Sequence, residues 1–224
     1  MNSLETDQYI RINKYLNGKV PELGTKVGPN DVVAVDGEAV GKPKQAHTYI
    51  AFNKPVGIVS TTDTKGEKDN IIDYIGHQQR IFPIGRLDKD SEGLIFLTSE
   101  GDIVNKILRS KNNHEKEYIV TVDRPVNDEF LKQMGDGVPI LDTVTDPCKV
   151  VRISKFKFRI ILTQGLNRQI RRMCERFGFK VVQLKRIRIM NVHLDIPVGK
   201  WRDLTEKELA EINEMIADSS KTFD

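Results

Sequence analysis

The chain of 224 residues contains 38% hydrophobic and 30% charged side chains, which is the composition of a globular protein and excludes a largely disordered one. It lacks an apolar run of the roughly 20 residues that a membrane-spanning helix needs, and its opening, MNSLETDQYI, lacks the basic-then-apolar pattern of a secretory signal. The two cysteines, Cys148 and Cys174, are too few for a disulfide scaffold or a zinc site. We therefore expect a cytoplasmic protein that does not contact a membrane.

The N-terminal part has the pattern of a small β unit preceded by a short helix. A helix is predicted over residues 9–16 and strands over residues 17–20 and 32–40, joined by a turn-rich connection. The looser stretch GKPKQAH follows them. It is expected to link this unit, residues 1–46, to a larger domain that covers residues 47–224.

The larger domain is predicted to mix strands and helices in an irregular order. The predicted strands cover residues 47–62 (interrupted at Pro55), 93–98 (GLIFLT), 115–126, 149–165 and 180–194. The predicted helices cover residues 70–79, 127–137, 166–177, a segment capped by Ser99, and a segment capped by Thr205 with Glu208. This order predicts the α+β class, with a mixed but largely antiparallel sheet flanked by helices.

The small net charge of +3 hides a strongly basic region. Residues 151–202 contain 14 lysines and arginines against two acidic residues, an excess of +12, while the rest of the chain holds 21 basic against 30 acidic residues. Such an asymmetry favours a polyanionic partner, and nucleic acid in particular. A merely solvated face is the alternative.

The basic region interleaves its charges with apolar positions. Over residues 180–194 the charged residues Lys185, Arg186 and Arg188 sit in a strand-like pattern. The helix that precedes it separates two rows, an apolar one (Ile170, Met173, Cys174 and Phe177) and a basic one (Arg168, Arg172 and Arg176), with Arg171 on the flank between them.

An acidic cluster lies at the start of the predicted strand GLIFLT. Strand-like alternation would point Arg86 and Asp88 to one side and bury Leu87 on the other. An aspartate held among arginines stays ionised, so Asp88 can act as a nucleophile or a base without further activation. A polar turn without chemistry is one alternative. A calcium loop is another, but Ser99 occupies the position where such a loop needs a glutamate.

Three motifs together resemble those of the bacterial pseudouridine synthases of the RsuA/RluF type: GRLDKDSEGL (85–94), KEYIV (116–120) and GLNRQIRRM (165–173). The motifs occur in the family's order, and the similarity runs from about residue 47 to about residue 216. Within the family the chain is most similar to the RluF-type synthases that act on large-subunit rRNA. The resemblance implies the pseudouridine synthase fold and isomerisation of a uridine in structured RNA, without a cofactor or a metal.

The resemblance also implies roles for individual residues. Asp88 would be the catalytic aspartate, Arg171 would pair with it, and Arg86 would help to hold the target nucleotide flipped out. Tyr118 would stack on the uracil, although a core tyrosine of a strand is an equal reading of this position. The remaining implied substrate or RNA contacts are Leu162, as an apolar wall of the pocket, and Asn167, Arg168, Arg172, Arg176, Lys185, Arg186 and Arg188.

The N-terminus departs from the family pattern. Family members begin with an S4 RNA-binding module, and residues 11–16 and 17–38 are similar to its opening and to its closing strands. A helix-turn-helix of about two dozen residues is missing between Leu16 and Asn17, so a partial S4-like module is expected here. RNA, most of all large-subunit rRNA with tRNA as an open second substrate, is the expected partner of a monomer.

Two other functions remain open from the sequence. The same basic face would suit a non-catalytic rRNA-binding or ribosome-assembly protein. A nucleoside N-glycosylase would use a similar carboxylate and would leave an abasic product. For the isomerase itself, either attack of the carboxylate on C1′ or abstraction of the 2′ proton would serve.

Overall fold

The computed structural model describes residues 14–22, 25, 32–39, 47–108 and 114–217. Its internal contacts divide the chain into two compact units, Met1–Ala46 and His47–Asp224. None of the helices in the described part of the chain is both long and apolar enough to cross a membrane.

The first unit contains a three-stranded antiparallel sheet. Strand β1 (Lys14–Leu16) pairs with β2 (Val33–Val35), which pairs with β3 (Glu38–Ala39). The predicted helix is therefore wrong over residues 14–16, and its earlier part lies outside the described residues. The pairing is fixed by Asn17, whose amide donates to the Val32 carbonyl and whose side chain accepts from the Val32 amide, both at 2.8 Å.

The second unit is built on a nine-stranded sheet. Its strands are β4 (Tyr49–Lys54), β5 (Phe82–Ile84), β6 (Glu92–Thr98), β7 (Lys116–Val122), β10 (Lys149–Ser154), β11 (Lys157–Leu162), β12 (Val181–Ile189), β13 (Val192–His193) and β14 (Trp201–Asp203). The order is β10-β11-β7-β12-β6-β4-β14, with β13 on β12 and β5 on β6. Among these described pairings only β12 with β6 is parallel, so the predicted mixed, largely antiparallel sheet is confirmed. A separate hairpin joins β8 (Pro139–Ile140) to β9 (Thr143–Val144).

Five helices flank the sheet in the described part of the chain: α1 (Ile71–Ile75), α2 (Gly101–Leu108), α3 (Asp128–Asp136), α4 (Gln169–Arg176) and α5 (Glu206–Met215). The predicted capping box of Thr205 and Glu208 is present at the start of α5. Ser99 does not cap α2, because its hydroxyl accepts the amide of Thr48 at 3.0 Å and the helix begins only at Gly101.

The sheet is covered on both faces by helices. Strand β6 alternates its side chains between two cores, with Ile95 and Leu97 in one and Leu94 and Phe96 in the other. The first core includes residues of α1, α3 and α4, and the second includes residues of α2 and α5. This double burial explains why the sequence of β6 is continuously apolar.

Arg202 of β14 joins the sheet to α5 through two carboxylates. Its guanidinium donates to both oxygens of Glu208 at 2.8 Å and to Asp195 at 2.9 and 3.0 Å. The hydrogen bonds from Arg202 lower the pKa of Glu208 from 4.5 to about 2. The carboxylate therefore stabilises the folded state at neutral pH.

We expect Glu208→Gln to lower the free energy of unfolding at pH 7 by about 1–2 kcal/mol, a value discounted for partial exposure of the pair. A carboxyl with a lowered pKa stabilises above its unfolded value, so the difference from wild type should narrow as the pH falls below 4.5 toward 2. Urea unfolding at several pH values measures this difference in the free energy of unfolding. Glu214→Gln, an exposed change on the same helix, is the control, and an equal loss in both variants would contradict the prediction.

Candidate active site

A cavity of about 440 Å³ lies where the segment between β5 and β6 meets β7, β12 and the segment between β11 and α4. Its size is within the range of small-molecule sites. Seven residues predicted from the sequence line it: Arg86, Asp88, Tyr118, Leu162, Asn167, Arg168 and Arg186. Three motifs that are far apart in the chain therefore meet at one place.

Asp88 lies in an extended segment between β5 and β6 that is fixed by hydrogen bonds. The Ser60 hydroxyl donates to the Leu87 carbonyl at 2.9 Å and accepts the Leu87 amide at 3.2 Å. The Gly57 amide donates to the Lys89 carbonyl at 2.7 Å. Leu87 is buried and Arg86 is exposed, as the predicted alternation requires, although the segment is not itself a strand.

The Asp88 carboxylate faces two guanidinium groups without a close contact to either. Its Oδ2 atom is 3.6 Å from Nη1 of Arg168 and 4.0 Å from Nε of Arg171. Arg171 is buried, and its Nε atom has no hydrogen-bond partner among the described residues. The predicted pair of Asp88 and Arg171 is thus present as a long ion pair. The carboxylate is 31% exposed and keeps its oxygens available to a substrate.

Asp90 is the closer partner of both arginines, a contact that the local sequence pattern does not predict. Arg168 donates to both carboxylate oxygens of Asp90 at 3.1 Å, and these bonds are the largest cause of the lowered pKa of Asp90. Nη2 of Arg171 donates to the Asp90 carbonyl at 2.9 Å and to the Ser91 hydroxyl at 3.0 Å. The acidic turn therefore holds the two guanidinium groups in place beside Asp88. A calcium loop would instead need these acids as ligands.

Tyr118 belongs both to the core and to the cavity wall. It is buried in β7, and its ring lies 5.9 Å from the guanidinium carbon of Arg186, its direct neighbour on β12. Leu162 of β11 is buried in the same wall. These two side chains supply an apolar surface on which a flat base can rest.

The other predicted basic residues lie outside the cavity lining. Arg172 is bound to Asn167 through the carbonyl at 3.0 Å and the side chain at 3.2 Å, whereas Arg176 is exposed and Lys185 is half-buried. Arg188 pairs with Glu117 and Glu115, both at 2.8 Å. Its guanidinium is therefore already neutralised by protein carboxylates.

Arg186, predicted as a substrate or RNA contact, is buried rather than exposed to solvent. It is 4% exposed, and its Nε atom donates to the Leu94 carbonyl at 2.6 Å. Strand β12 lies between β7 and β6 inside the sheet, and its face toward the cavity is covered. Any contact of Arg186 with RNA is therefore through the cavity.

Two buried lysines were missed by the sequence reasoning. Lys116 lines the cavity, and burial, followed by the charge of Arg186, lowers its pKa to about 8. Lys54 is fully buried, with its ammonium donating to the carbonyls of Pro55 and Ile58 at 2.9 and 2.7 Å. Lys116 could have been found, because it lies two residues before Tyr118 on one strand and so shares its face.

Comparison with known proteins agrees with this architecture. Residues 48–176 match a family model described as RNA pseudouridylate synthase. The dual-specificity RNA pseudouridine synthase RluF of Escherichia coli O157:H7 is 60% identical over 220 residues, which cover 96% of this chain and 75% of that protein. Ribosomal large subunit pseudouridine synthase B of Bacillus subtilis is 34% identical over 215 residues, covering 92% of this chain and 87% of that protein.

A solved structure shares the fold. The crystal structure of a pseudouridylate synthase superimposes with a TM-score of 0.69 at 27% sequence identity, over 91% of this chain and 88% of the other. The matched residues span Asp88 and Tyr118, which line the cavity, and Arg171, which lies outside the lining with its Nε atom 4.0 Å from Asp88. The chain therefore belongs to the RNA pseudouridylate synthase family, the isomerases that convert uridine in RNA to pseudouridine.

Proposed function

We propose that this protein isomerises a specific uridine in large-subunit rRNA and a second uridine in a tRNA, with Asp88 as the catalytic group. The observation that carries the proposal is a partly exposed carboxylate in a cavity, flanked by guanidinium groups at 3.6 and 4.0 Å. The dual specificity in the name of a relative at 60% identity, and the ribosomal large subunit in the name of another, support the choice of substrates.

The chemistry requires a nucleotide that has left its stack. The bond between N1 and C1′ breaks, the base turns, and a new bond forms between C5 and C1′, which calls for a flipped-out uridine held in a pocket. The Asp88 carboxylate either attacks C1′ or removes the 2′ proton. Arg171, fixed by Ser91 and the Asp90 carbonyl, orients Asp88 from the protein side. Tyr118 and Leu162 hold the detached base.

The contacts with the rest of the RNA follow from exposure and charge. Arg86 is exposed beside the cavity and is suited to fill the space that the flipped nucleotide leaves. Arg176, Lys185 and Arg172 are accessible in the basic region and would contact phosphates. Asn167 and Arg168 line the cavity and would position the target nucleotide. Arg188, which is paired with Glu115 and Glu117, would add little to the positive field at this surface.

The two units have separate roles in this proposal. Residues 47–224 form the catalytic domain, and residues 1–46 form a partial S4-like module that adds little to RNA affinity. The protein acts as a monomer in the cytoplasm, where its RNA substrates are.

The purified protein should form pseudouridine at a single position in transcripts of large-subunit rRNA and at one position in tRNA. Chemical mapping of pseudouridine by reverse-transcription stops, before and after incubation, measures this. A small-subunit rRNA transcript is the control. Binding without new pseudouridine, or an abasic product at the target, would contradict the proposal.

A further inference from the structure

Two buried cations line the cavity beside Tyr118. Lys116 is 9% exposed and Arg186 is 4% exposed, and both line the cavity that contains Asp88. Lys116 and Tyr118 are two residues apart on β7 and therefore share a face of that strand. Arg186 is the register partner of Tyr118 on β12. The two positive groups are thus both neighbours of Tyr118, Lys116 along the same strand and Arg186 across the strand pair.

Neither cation has a salt-bridge partner among the described residues. Nζ of Lys116 donates to the carbonyls of His114 and Thr163 at 3.3 and 3.2 Å. Nε of Arg186 is bound to the Leu94 carbonyl, but Nη2 is buried and has no hydrogen-bond partner within the described part of the chain. Buried cations cost several kcal/mol unless they are paired, so this arrangement calls for a ligand that completes it.

Apart from Asp88, the carboxylates near this face are bound to other arginines. Asp90 binds Arg168, and Glu117 is paired with Arg159 and Arg188. Glu117 lies between Lys116 and Tyr118 in sequence, so the strand sends its carboxylate to the opposite face. The side of β7 and β12 that faces the cavity therefore carries the positive charges of Lys116 and Arg186. It also presents one hydrogen-bond donor, Nη2 of Arg186, that has no acceptor in the described part of the chain.

We propose that Lys116 and Arg186 bind the carbonyl oxygens of the uracil and stabilise negative charge on the base while it is detached. This inference rests on the proposed function. When the bond between N1 and C1′ breaks, its electron pair stays on the base and spreads onto O2 and O4. The bond from C5 to C1′ then forms, C5 loses its proton, and N1 gains one. Two preorganised cations away from water lower the energy of the anionic stage.

The test compares Lys116→Met with Lys116→Arg on two RNAs that differ only at the target nucleotide, uridine or 5-fluorouridine. Single-turnover consumption of the target is measured, together with thermal unfolding and RNA affinity. Lys116→Met should slow the uridine reaction by about 10²–10³-fold, the usual effect of losing one such donor. The loss should be several-fold smaller with 5-fluorouridine, because fluorine itself stabilises the anionic base. Lys116→Arg should retain at least a tenth of the wild-type rate.

The thermal stability of Lys116→Met distinguishes a role in stabilising the detached base from a role in holding the fold together. Methionine removes a charge that the fold must desolvate, so the Tm of Lys116→Met should equal or exceed that of wild type while RNA affinity stays the same. Lys132→Met, on the exposed face of α3, is the control for losing a lysine.

Different results would contradict the proposed function and the inference about Lys116. A wild-type protein that forms no pseudouridine would remove the proposed function itself. If wild type is active, the inference fails when Lys116→Met reacts within threefold of wild type, when both RNAs slow equally, or when the variant loses stability and RNA binding together.

Discussion

Replacing Asp88 by asparagine is expected to slow pseudouridine formation by about 10⁴-fold or more, the scale seen when the reacting group of an enzyme is removed. Both open routes, attack on C1′ and removal of the 2′ proton, need a carboxylate with a free electron pair and negative charge. The amide has almost the same shape but neither property. The cavity and its lining should therefore remain while the chemistry stops.

RNA affinity should remain or increase slightly in the same variant. Asp88 is held only through long ion pairs of 3.6 and 4.0 Å, so its loss leaves Arg168 and Arg171 with their other partners in place. Removing a negative charge from a surface that approaches phosphates also reduces repulsion. Filter binding on the substrate RNA and single-turnover pseudouridine formation measure the two effects separately.

Two further aspartate variants serve as comparisons for Asp88→Asn. Asp142→Asn lies in an exposed turn with φ of 59°, a conformation that asparagine adopts readily, and should react as wild type does. Asp90→Asn weakens the anchoring of Arg168 and should cost about tenfold, because Asp90 orients the arginines without reacting. Residual activity of Asp88→Asn above that of Asp90→Asn would reverse the roles assigned to the two aspartates.

The sequence could indicate the participants of the site but not their contacts. Local alternation correctly buried Leu87 between Arg86 and Asp88, since that depends only on neighbouring residues. The binding of Arg168 by Asp90 depends on how closely a loop and a helix 78 residues apart approach each other, which no local pattern encodes. Arg168, the N-cap residue just before α4, also has a left-handed conformation, with φ of 50°, which neither its residue type nor its spacing suggests.

The alternating sequence pattern also could not predict which side chains of a strand are buried. A period of two tells which residues of β12 share a face, but not whether that face meets water or a cavity wall. The alternation of residues 180–194 therefore placed Arg186 in a strand without indicating that its side chain is buried. In the same way, residues 14–16 have no strong local preference, and pairing with β2 made them a strand.

Gly93 lies at a position of the site where even the methyl group of alanine would clash with the neighbouring strand. It has φ of 111°, and it pairs with Arg186 where β6 runs parallel to β12. A Cβ atom at this position would overlap the Arg186 carbonyl oxygen and lie 2.7 Å from its amide nitrogen. Both atoms are backbone, so neither can turn away.

We expect Gly93→Ala to lower the free energy of unfolding by at least about 4 kcal/mol, because backbone strain and the clash with a central strand add together. Gly57→Ala separates the two causes. Its φ of 94° is similarly unfavourable for alanine, but nothing lies within 4 Å of the added atom, so it should lose only about 1–2 kcal/mol. Urea unfolding of both variants gives the difference, and equal losses would show that β6 and β12 are not held as closely as the structure indicates. Any shift of the Arg186 backbone that relieves the clash would also move its guanidinium from Tyr118, so stability and the shape of the cavity are set by the same contact.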